Sequence, residues 1–178
     1  MQFSPTRLQD VRLIEMAPIR DHRGYFARTF CTREFAEAGL ATEYVQHSIS
    51  HTLHTGTVRG MHFQHAPDAE VKVVRCLAGA IYDVLIDLRP TSLTFMQWEA
   101  FELSGGDGRQ IYIPSGFAHG FQTRAPATTV SYMMSAFHAA AAAAGIRHDD
   151  PAFRIDWPLP VAEISDRDRS WPDFQSGQ

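Results

Sequence analysis

The chain has 178 residues and a formal net charge of −4, with 44% hydrophobic and 20% charged residues. This length suits one domain with a single hydrophobic core, and the composition excludes disordered and fibrous chains. The net charge is not the basic one that nucleic-acid binding favours, and no apolar run approaches the roughly 20 residues that span a bilayer. We therefore expect neither nucleic acid nor a membrane as a partner. The first ten residues lack a basic segment followed by an apolar one, which favours a cytoplasmic protein. We expect a single domain over residues 1–178.

Turn-forming residues recur about every ten positions, and the segments between them are short, alternating and rich in Val, Ile, Phe, Tyr and Thr. This pattern predicts antiparallel strands in a number that suits a sandwich or jelly roll. The predicted strands are Arg7–Met16, Gly24–Phe30, Tyr44–His51, Val58–Gln64, Ala69–Leu77, Gly79–Asp87, Thr94–Leu103, Gln110–Ile113, His119–Thr123 and Thr129–Ser135.

Helical segments are predicted in two places. The first covers Cys31–Ala38, with Thr32 as the N-cap and Gly39 as the terminator. The alanine run Ala139–Ala144 is predicted to form a further helical turn. Residues 145–160 are punctuated by proline, and we expect a fixed surface loop there.

Cysteine and lysine are both rare in this chain. Cys31 and Cys76 have no CxxC spacing, and we expect reduced structural thiols rather than a disulfide or metal ligands. Lys72 is the only lysine among 16 basic residues. A lysine inside a β pattern usually faces solvent at a sheet edge, and the pattern by itself predicts that position for Lys72.

Residues 56–64, GTVRGMHFQ, form the first segment that carries chemistry. Strand alternation places Arg59 and Met61 on one face and His62 and Gln64 on the other.

Two further segments carry candidate functional groups. In residues 71–87, Gly79 separates two apolar strands in the manner of a hairpin, and Lys72 lies inside the first strand. In residues 108–120, a strand and a Pro-Gly turn deliver His119 into the next strand.

The first and last of these segments resemble the paired motifs of the cupin superfamily, G-x5-H-x-H-x3,4-E-x6-G and G-x5-P-x-G-x2-H-x3-N. The second motif matches from Gly108 to His119, with Thr123 in place of the final Asn. In the first motif, Gln64 replaces the second His, and the Glu is displaced to Glu70. Replacing an imidazole by an amide removes much of the affinity of a transition-metal site, so we expect a cupin barrel without a metal.

Six segments carry a closer resemblance along nearly the whole chain: DHRGYFARTF (21–30), RGMHFQ (59–64), EVKVVRCLAGAIYDVLIDLRPTS (70–92), IYIPSGFAHGF (111–121), GIRHDDP (145–151) and ISDRD (164–168). Together they resemble the dTDP-4-dehydrorhamnose 3,5-epimerases and related nucleotide-sugar 4-keto epimerases. The resemblance implies an all-β, cupin-type antiparallel jelly-roll barrel with short peripheral helices. It also implies a cofactor-free isomerase that epimerises C3, C5 or both of a nucleotide-linked 4-keto-6-deoxy sugar.

The resemblance implies roles for five polar residues in moving a proton on carbon beside a keto group. His62 matches the family's base, and Asp168 matches the carboxylate that pairs with it. Lys72 matches the cation at the developing enolate. Tyr132 matches the acid that returns a proton from the opposite face. His119 matches a second polar group near the keto oxygen.

Substrate-binding residues are implied in the same way. Arg23 and Arg59 match positions that hold a diphosphate, and Gln46 and Ser50 match a strand that contacts nucleotide or sugar hydroxyls. The other residues expected to bind substrate are Arg28, Ser48, His138 and Arg167.

Five positions depart from the family pattern. Ser48 stands for Asn, His138 for Tyr, His148 for Trp and Ala143 for Glu. Arg28 stands where the family usually has Glu, which exchanges an acceptor for a donor and reverses a charge. A dTDP-linked substrate is therefore favoured by the resemblance, with GDP- and CDP-linked sugars as alternatives.

Other functions stay open on the residues alone. Within the fold they are a C3-only epimerase, a heptose epimerase and a 3,4-ketoisomerase. A different class comprises a non-catalytic sugar-nucleotide-binding cupin and a metal-dependent cupin enzyme. The family forms dimers, and the apolar alternation in Val11–Met16 is compatible with a homodimer that exchanges N-terminal strands.

Overall fold

The computed structural model describes residues 1–175, which form thirteen strands and two short helices. The strands are β1 (Gln2–Pro5), β2 (Arg12–Glu15), β3 (Ile19–Asp21), β4 (Gly24–Phe26), β5 (Gln46–Thr52), β6 (Val58–Gln64), β7 (Lys72–Ala78), β8 (Ala80–Asp87), β9 (Trp98–Ser104), β10 (Arg109–Ile113), β11 (Phe117–Thr123), β12 (Thr128–Met134) and β13 (Ala143–Gly145). The helices are α1 (Thr32–Glu37) and α2 (Asp166–Arg169).

The strands form two large antiparallel sheets and one hairpin. The six-stranded sheet has the order β1-β2-β10-β7-β12-β5, and the five-stranded sheet has the order β13-β6-β11-β8-β9. Strands β3 and β4 pair only with each other among the described strands. No helix in residues 1–175 has the length and apolar character needed to cross a membrane.

The inner faces of the two sheets meet in one buried apolar cluster. Val74 and Val130 from the six-stranded sheet pack in this cluster with Ile81, Leu85 and Phe121 from the five-stranded sheet. Each such side chain contributes roughly 1.5–3 kcal/mol when it leaves water. The alternation seen in the sequence is therefore the alternation of a two-sheet core, and the predicted all-β antiparallel fold is confirmed.

The predicted strands differ from the observed ones mainly at the N-terminus. The predicted strand Arg7–Met16 is shortened to β2 because a turn precedes it, in which Asp10 has a φ of 67°. Strands β1 and β3 were not expected from the pattern. Val11 and Ile14 are fully buried in the chain's own core, so the alternation in Val11–Met16 is explained without a partner chain.

The helical predictions are half right. Helix α1 is present and ends before Gly39, whose φ of +70° suits a glycine, but Cys31 occupies the N-cap position without a side-chain cap. The alanine run Ala139–Ala144 is not a helix, because its end becomes β13 and pairs with β6. A run this short cannot stabilise a helix alone, whereas the sheet supplies partners for its backbone.

The prediction for Lys72 is also wrong. Strand β7 lies between β10 and β12, so it is not an edge strand. The Lys72 side chain is only 12% exposed. Cys31 and Cys76 are both unpaired thiols, as expected, and burial raises the pKa of Cys76 to about 11.

A buried carboxylate at the end of β8 anchors the loop that follows it. Asp87 accepts hydrogen bonds at Oδ2 from Arg89 Nη2 (2.8 Å), Ser92 Oγ (2.6 Å) and Thr94 Oγ1 (2.7 Å). Burial by itself would raise the pKa of Asp87, but these hydrogen bonds outweigh it, and the pKa lies below its ordinary value.

We expect Asp87→Ala to lower the free energy of unfolding by roughly 3 kcal/mol, because Arg89 and two hydroxyls lose their buried acceptor. A lowered folded pKa stabilises the protein above the ordinary aspartate pKa of about 3.9, and that contribution is lost as the pH falls through the folded value. Urea unfolding at neutral pH and near pH 3 measures both effects. The wild type should lose more stability on acidification than the variant, and equal losses would contradict this account.

Candidate active site

A cavity of about 920 Å³ lies between the two sheets. Strands β5, β7 and β12 form one wall, and β6, β11 and β13 form the other. The segment 162–169, which includes α2, lines the remaining side. The apolar core fills the rest of the space between the sheets, so polar side chains that point inward at this place meet in the cavity.

A histidine–carboxylate pair lies on one wall. His62 Nε2 is 2.6 Å from Asp168 Oδ1, and Asp168 Oδ2 accepts a bond from the Gly60 backbone N–H at 3.2 Å. The His62 side chain is 46% exposed, whereas that of Asp168 is 6% exposed. Helix α2 fixes the carboxylate, because Ser165 caps the helix by accepting a bond from the Asp168 N–H.

The hydrogen bonds of this pair define its proton positions. Burial would raise the pKa of Asp168, but the bonds from His62, Gly60 and Ser165 lower it below its ordinary value. An ionised carboxylate only accepts, so Nε2 of His62 carries the shared proton. When the ring is neutral, the other ring nitrogen, Nδ1, is left as an acceptor.

Strand β6 does not alternate as the sequence suggests. Arg59 pairs with Phe121, but His62 pairs with His119, so three steps along β6 oppose two along β11. This bulge changes the parity of the strand. Arg59 therefore lines the cavity together with His62, and the predicted placement of Arg59 on the opposite face is wrong.

Lys72 reaches the cavity from the other wall. Its Nζ lies 2.8 Å from Glu70 Oε1 and 3.4 Å from the His62 carbonyl oxygen. The Glu70 side chain is buried, and its second oxygen, Oε2, makes no hydrogen bond. The ammonium group is thus held beside His62 by a buried ion pair.

Tyr132 projects into the cavity from β12. Its hydroxyl lies 3.0 Å from Ser50 Oγ on the neighbouring edge strand. Burial raises the pKa of Tyr132 well above its ordinary value, and the nearby Asp83 carboxylate adds to this effect, against the opposing influence of Ser50 and Arg59. The phenol is therefore protonated at neutral pH and available as a donor.

His119 lies on β11 directly opposite His62. Its Nε2 is 2.7 Å from Asp83 Oδ1, and both residues are buried. The His119 and Tyr132 rings are 6.3 Å apart between centroids. His119 therefore lies on the same wall as His62, with its ring near that of Tyr132 from the opposite wall.

The other implied substrate-binding residues divide into two groups. Seven of the nine line the cavity: Gln46, Ser48, Ser50, Arg59, His119, His138 and Arg167. Of the other positions that depart from the family pattern, Ala143 lines the cavity and His148 does not.

Arg23 and Arg28 lie away from the cavity. Arg23 forms an ion pair with Asp21 inside the β3–β4 hairpin, at 2.5 Å. Arg28 lies 2.7 Å from Glu34 and lines a separate small cavity with Phe26. The single chain therefore does not bring these two residues to the site.

Gln64, which replaces the second cupin histidine, forms hydrogen bonds with backbone groups. Gln64 Nε2 donates to the carbonyl oxygens of Asp68 (2.8 Å) and Phe137 (3.2 Å), and its Oε1 accepts from the Ala139 N–H at 2.7 Å. Within residues 1–175, no three His, Cys, Asp or Glu side chains form a cluster that would hold a metal ion.

Sequence reasoning missed several cavity residues. Glu70 was considered only as a displaced metal ligand, and Glu163 and Arg169 were not singled out. Asp83, which is buried against the cavity residue His119, was missed as well. Asp83 did leave a signal, because it interrupts the inward-facing apolar positions of β8, between Ile81 and Leu85 in the period-two pattern.

The arrangement supplies the parts that carbon-acid chemistry needs. A neutral imidazole with a free Nδ1 can take a proton, an ammonium group can stabilise the resulting enolate, and a phenol from another wall can return a proton. Arg59, Arg167 and Arg169 add forked donors suited to phosphate groups.

Known proteins match nearly the whole chain. The family model described as dTDP-4-dehydrorhamnose 3,5-epimerase matches residues 5–176. The dTDP-4-dehydrorhamnose 3,5-epimerase of Sinorhizobium fredii is 39% identical over 173 residues, covering 97% of this chain and 89% of that protein.

Solved structures give the same picture. The dTDP-4-dehydrorhamnose 3,5-epimerase of Bacillus anthracis, with TDP and PPi bound, has a TM-score of 0.94 and 36% identity, covering 97% of this chain and 99% of that one. ChmJ, a 3'-monoepimerase from Streptomyces bikiniensis in complex with dTDP-quinovose, has a TM-score of 0.86 and 28% identity, covering 95% and 86%. These likenesses confirm the predicted cupin-type jelly roll.

Proposed function

The chain belongs to the dTDP-4-dehydrorhamnose 3,5-epimerase family, and on that premise we propose that it epimerises C3, C5 or both of a dTDP-linked 4-keto-6-deoxy sugar in deoxysugar biosynthesis. The observation that carries this proposal is the His62–Asp168 pair at 2.6 Å, which shares one cavity with Lys72, His119 and Tyr132.

The proposed reaction begins with proton transfer from carbon to His62 Nδ1. The C–H bonding electrons move into a carbon–carbon double bond, and the keto oxygen at C4 takes the negative charge. The imidazolium that forms is stabilised by the ionised Asp168, and Lys72 stabilises the enolate oxygen. The partly buried site strengthens both interactions relative to water.

The second half of the reaction inverts the carbon. Tyr132 projects from the wall opposite His62 and donates its phenolic proton to the enolate carbon. The raised pKa of Tyr132 keeps this proton in place until the enolate forms. Ser50, at 3.0 Å, accepts from or donates to the phenol and relays its replacement proton.

We propose that Arg59 and Arg167 bind the diphosphate. Arg59 is held by Thr52 Oγ1 at 2.9 Å, and the Arg167 guanidinium stacks on Trp171. Gln46, Ser48 and Ser50 alternate on the cavity face of β5 and are placed to contact hydroxyl groups. The relatives that bind TDP and a dTDP-sugar favour a dTDP-linked substrate.

We propose a homodimer whose exchanged N-terminal segment is the β3–β4 hairpin. The hairpin exposes Ile19 (73%) and Phe26 (71%), and it carries Arg23, whose expected place is a diphosphate site. The outer face of edge strand β5 exposes Ile49, which offers an apolar surface next to the cavity. A partner's hairpin on this surface would bring Arg23 and Arg28 to the substrate.

The remaining features of the proposal follow from the chemistry. Side chains alone perform the proposed steps, in one cupin-like domain over residues 1–178. The two unpaired cysteines suit the reducing cytoplasm, where we place the enzyme.

A panel of dTDP-, GDP- and CDP-linked 4-keto-6-deoxy sugars in deuterated water tests the function. Deuterium at both C3 and C5 of the dTDP substrate, with inverted product, is the expected result. Deuterium at C3 alone would instead support a monoepimerase, a candidate favoured by the similarity to ChmJ. No exchange with any sugar of the panel would reject the proposal.

The hairpin can be tested separately. Phe26→Glu should convert the dimer to a monomer in light scattering and raise KM at least tenfold, because it charges an apolar contact and removes the partner's arginines from the site. Leu93→Glu, at another exposed apolar side chain, is the matched control and should change neither quantity. A dimeric Phe26→Glu variant with normal KM would contradict the exchange.

Lys72→Arg tests the ammonium. The planar guanidinium does not reproduce a compact point charge in a pocket that already contains Glu70, so we expect kcat to fall by about 100-fold with a smaller change in KM. Arg75→Lys, on the same strand, controls for the loss of sheet stability. Near-normal kcat in Lys72→Arg would show that position-specific enolate stabilisation is not its role.

A further inference from the structure

A second histidine–carboxylate pair lies at the cavity wall, where His119 lines the cavity and Asp83 is buried against it. His119 and Asp83 belong to neighbouring strands β11 and β8, and both point into the space between the sheets. The neighbours of Asp83 along β8 on this face are Ile81 and Leu85, both fully buried in the apolar core. A carboxylate in this position needs a specific partner, because burying an unpaired charge is costly.

The hydrogen bonds show what that partner is. Asp83 Oδ1 is 2.7 Å from His119 Nε2, and Asp83 Oδ2 is buried without any hydrogen-bond partner. Among the described residues, His119 is therefore the only hydrogen-bond partner of this carboxylate. The negative charge is compensated within the pair only when His119 carries a proton on both ring nitrogens.

Nδ1 of His119 is available for a hydrogen bond in the cavity. Nε2 is bound to Asp83, and Nδ1 makes no hydrogen bond within residues 1–175, while the ring lines the cavity. His119 lies directly across the strand pair from His62, and its ring centroid is 6.3 Å from that of Tyr132. In the proposed reaction the reacting carbon lies between His62 and Tyr132. The keto oxygen on the adjacent carbon would then be within reach of the His119 ring.

We propose that Asp83 is a positioning residue that holds His119 as an imidazolium and presents its Nδ1–H to the oxygen at C4. The inference rests on the proposed epimerisation and adds a second charged donor beside Lys72. When His62 takes the proton from carbon, the C4 oxygen gains negative charge and accepts a shorter hydrogen bond from Nδ1–H. No proton leaves His119, so the pair acts by electrostatic stabilisation alone.

Asp83→Asn is the direct test, because it keeps the size of the side chain and removes the charge. We expect kcat and the rate of deuterium incorporation to fall together by about 100-fold, with KM changed by less than threefold. Asp87→Asn is the matched control. It removes another fully buried carboxylate from the same strand, outside the cavity, and should lower the melting temperature while the folded enzyme keeps its kcat.

A double-mutant comparison separates positioning from a general structural role. If Asp83 acts through His119, then Asp83→Asn combined with His119→Gln should be no slower than His119→Gln alone. If the two losses multiply, or if Asp83→Asn keeps kcat within threefold of wild type, the proposal is overturned.

A spectroscopic measurement keeps this test independent of the proposed function. In ¹⁵N NMR of the ring nitrogens at neutral pH, His119 of the wild type should show two protonated nitrogens, and Asp83→Asn should convert it to a neutral ring. A neutral His119 in the wild type would overturn the inference even if the enzyme turns over substrate. A charged His119 that depends on Asp83 would support the positioning of the ring even if the sugar panel shows no exchange.

Discussion

His62→Ala should abolish deuterium exchange into the sugar, with a loss of at least 1,000-fold and an unchanged fold. The His62 imidazole lines the cavity, and its Nε2 is bound to Asp168 at 2.6 Å, which leaves Nδ1 of the neutral ring as the acceptor for a proton. General base catalysis by itself contributes about 100- to 10,000-fold, which corresponds to roughly 3–5 kcal/mol of transition-state stabilisation. The side chain is half exposed, so its removal leaves no buried polar group except Asp168.

Asp168→Asn should lower the same rate by a comparable factor, although the geometry is conserved. An asparagine can donate to Nε2 and thereby place the imidazole proton on Nδ1, where the base must be free. His51→Ala, which changes an exposed histidine of edge strand β5 outside the cavity, is the control and should exchange normally. Wild-type exchange rates in His62→Ala would end the proposed mechanism.

Tyr132→Phe should separate proton removal from inversion. Without the phenol, the enolate still forms at His62, but a proton returns only from the face where it left. Deuterium should therefore enter the unreacted substrate within about tenfold of the wild-type rate, while formation of the epimer falls by at least 100-fold. The phenylalanine ring keeps the packing of β12 against the core, so stability should change little.

Tyr112→Phe provides the matched control for that experiment. Tyr112 is also a buried tyrosine on a central strand, but its hydroxyl accepts from the Ala41 N–H at 3.3 Å, outside the cavity. It should leave both exchange and epimerisation unchanged. Equal losses of exchange and epimerisation in Tyr132→Phe would instead mean that the tyrosine is needed before the enolate forms.

Much of the fold was readable because its signals are local. Period-two alternation and regular turns predicted most of the β-strands of both sheets, since each strand buries one face against the core. Helix α1 was predicted from Thr32 as its cap and Gly39 as its terminator, although Cys31 occupies the N-cap position. The failures have a nonlocal cause: Ala143–Gly145 becomes a strand only because β6 lies beside it, and no propensity within the alanine run indicates that partner.

The candidate site shows the same division. His62, Lys72, His119, Tyr132 and Asp168 were identified through the resemblance, and the structure brings all five to one cavity although Asp168 follows His62 by 106 residues.

Other parts of the site depended on strand order and register. Arg59 faces the cavity because of a bulge in β6 that alternation does not reveal. Asp83 stands out in the sequence as a polar interruption of β8, but its contact with His119 follows only from β8 lying beside β11. Arg23 and Arg28 do not reach the cavity of their own chain, and their role as predicted depends on a partner.

Composition drew attention to Lys72 as the only lysine of the chain, and its position within an apolar run suggested an exposed edge. By itself, the sequence determined the alternation, the turns and the residue types available for proton transfer, because these are properties of neighbouring residues. The tertiary structure decided that β7 lies between β10 and β12, so that Lys72 is buried against Glu70 and directed at the cavity. The physical reason is that sheet order is set by contacts between residues far apart in the chain, which bury the apolar faces together and leave the polar ends of several strands in one cavity.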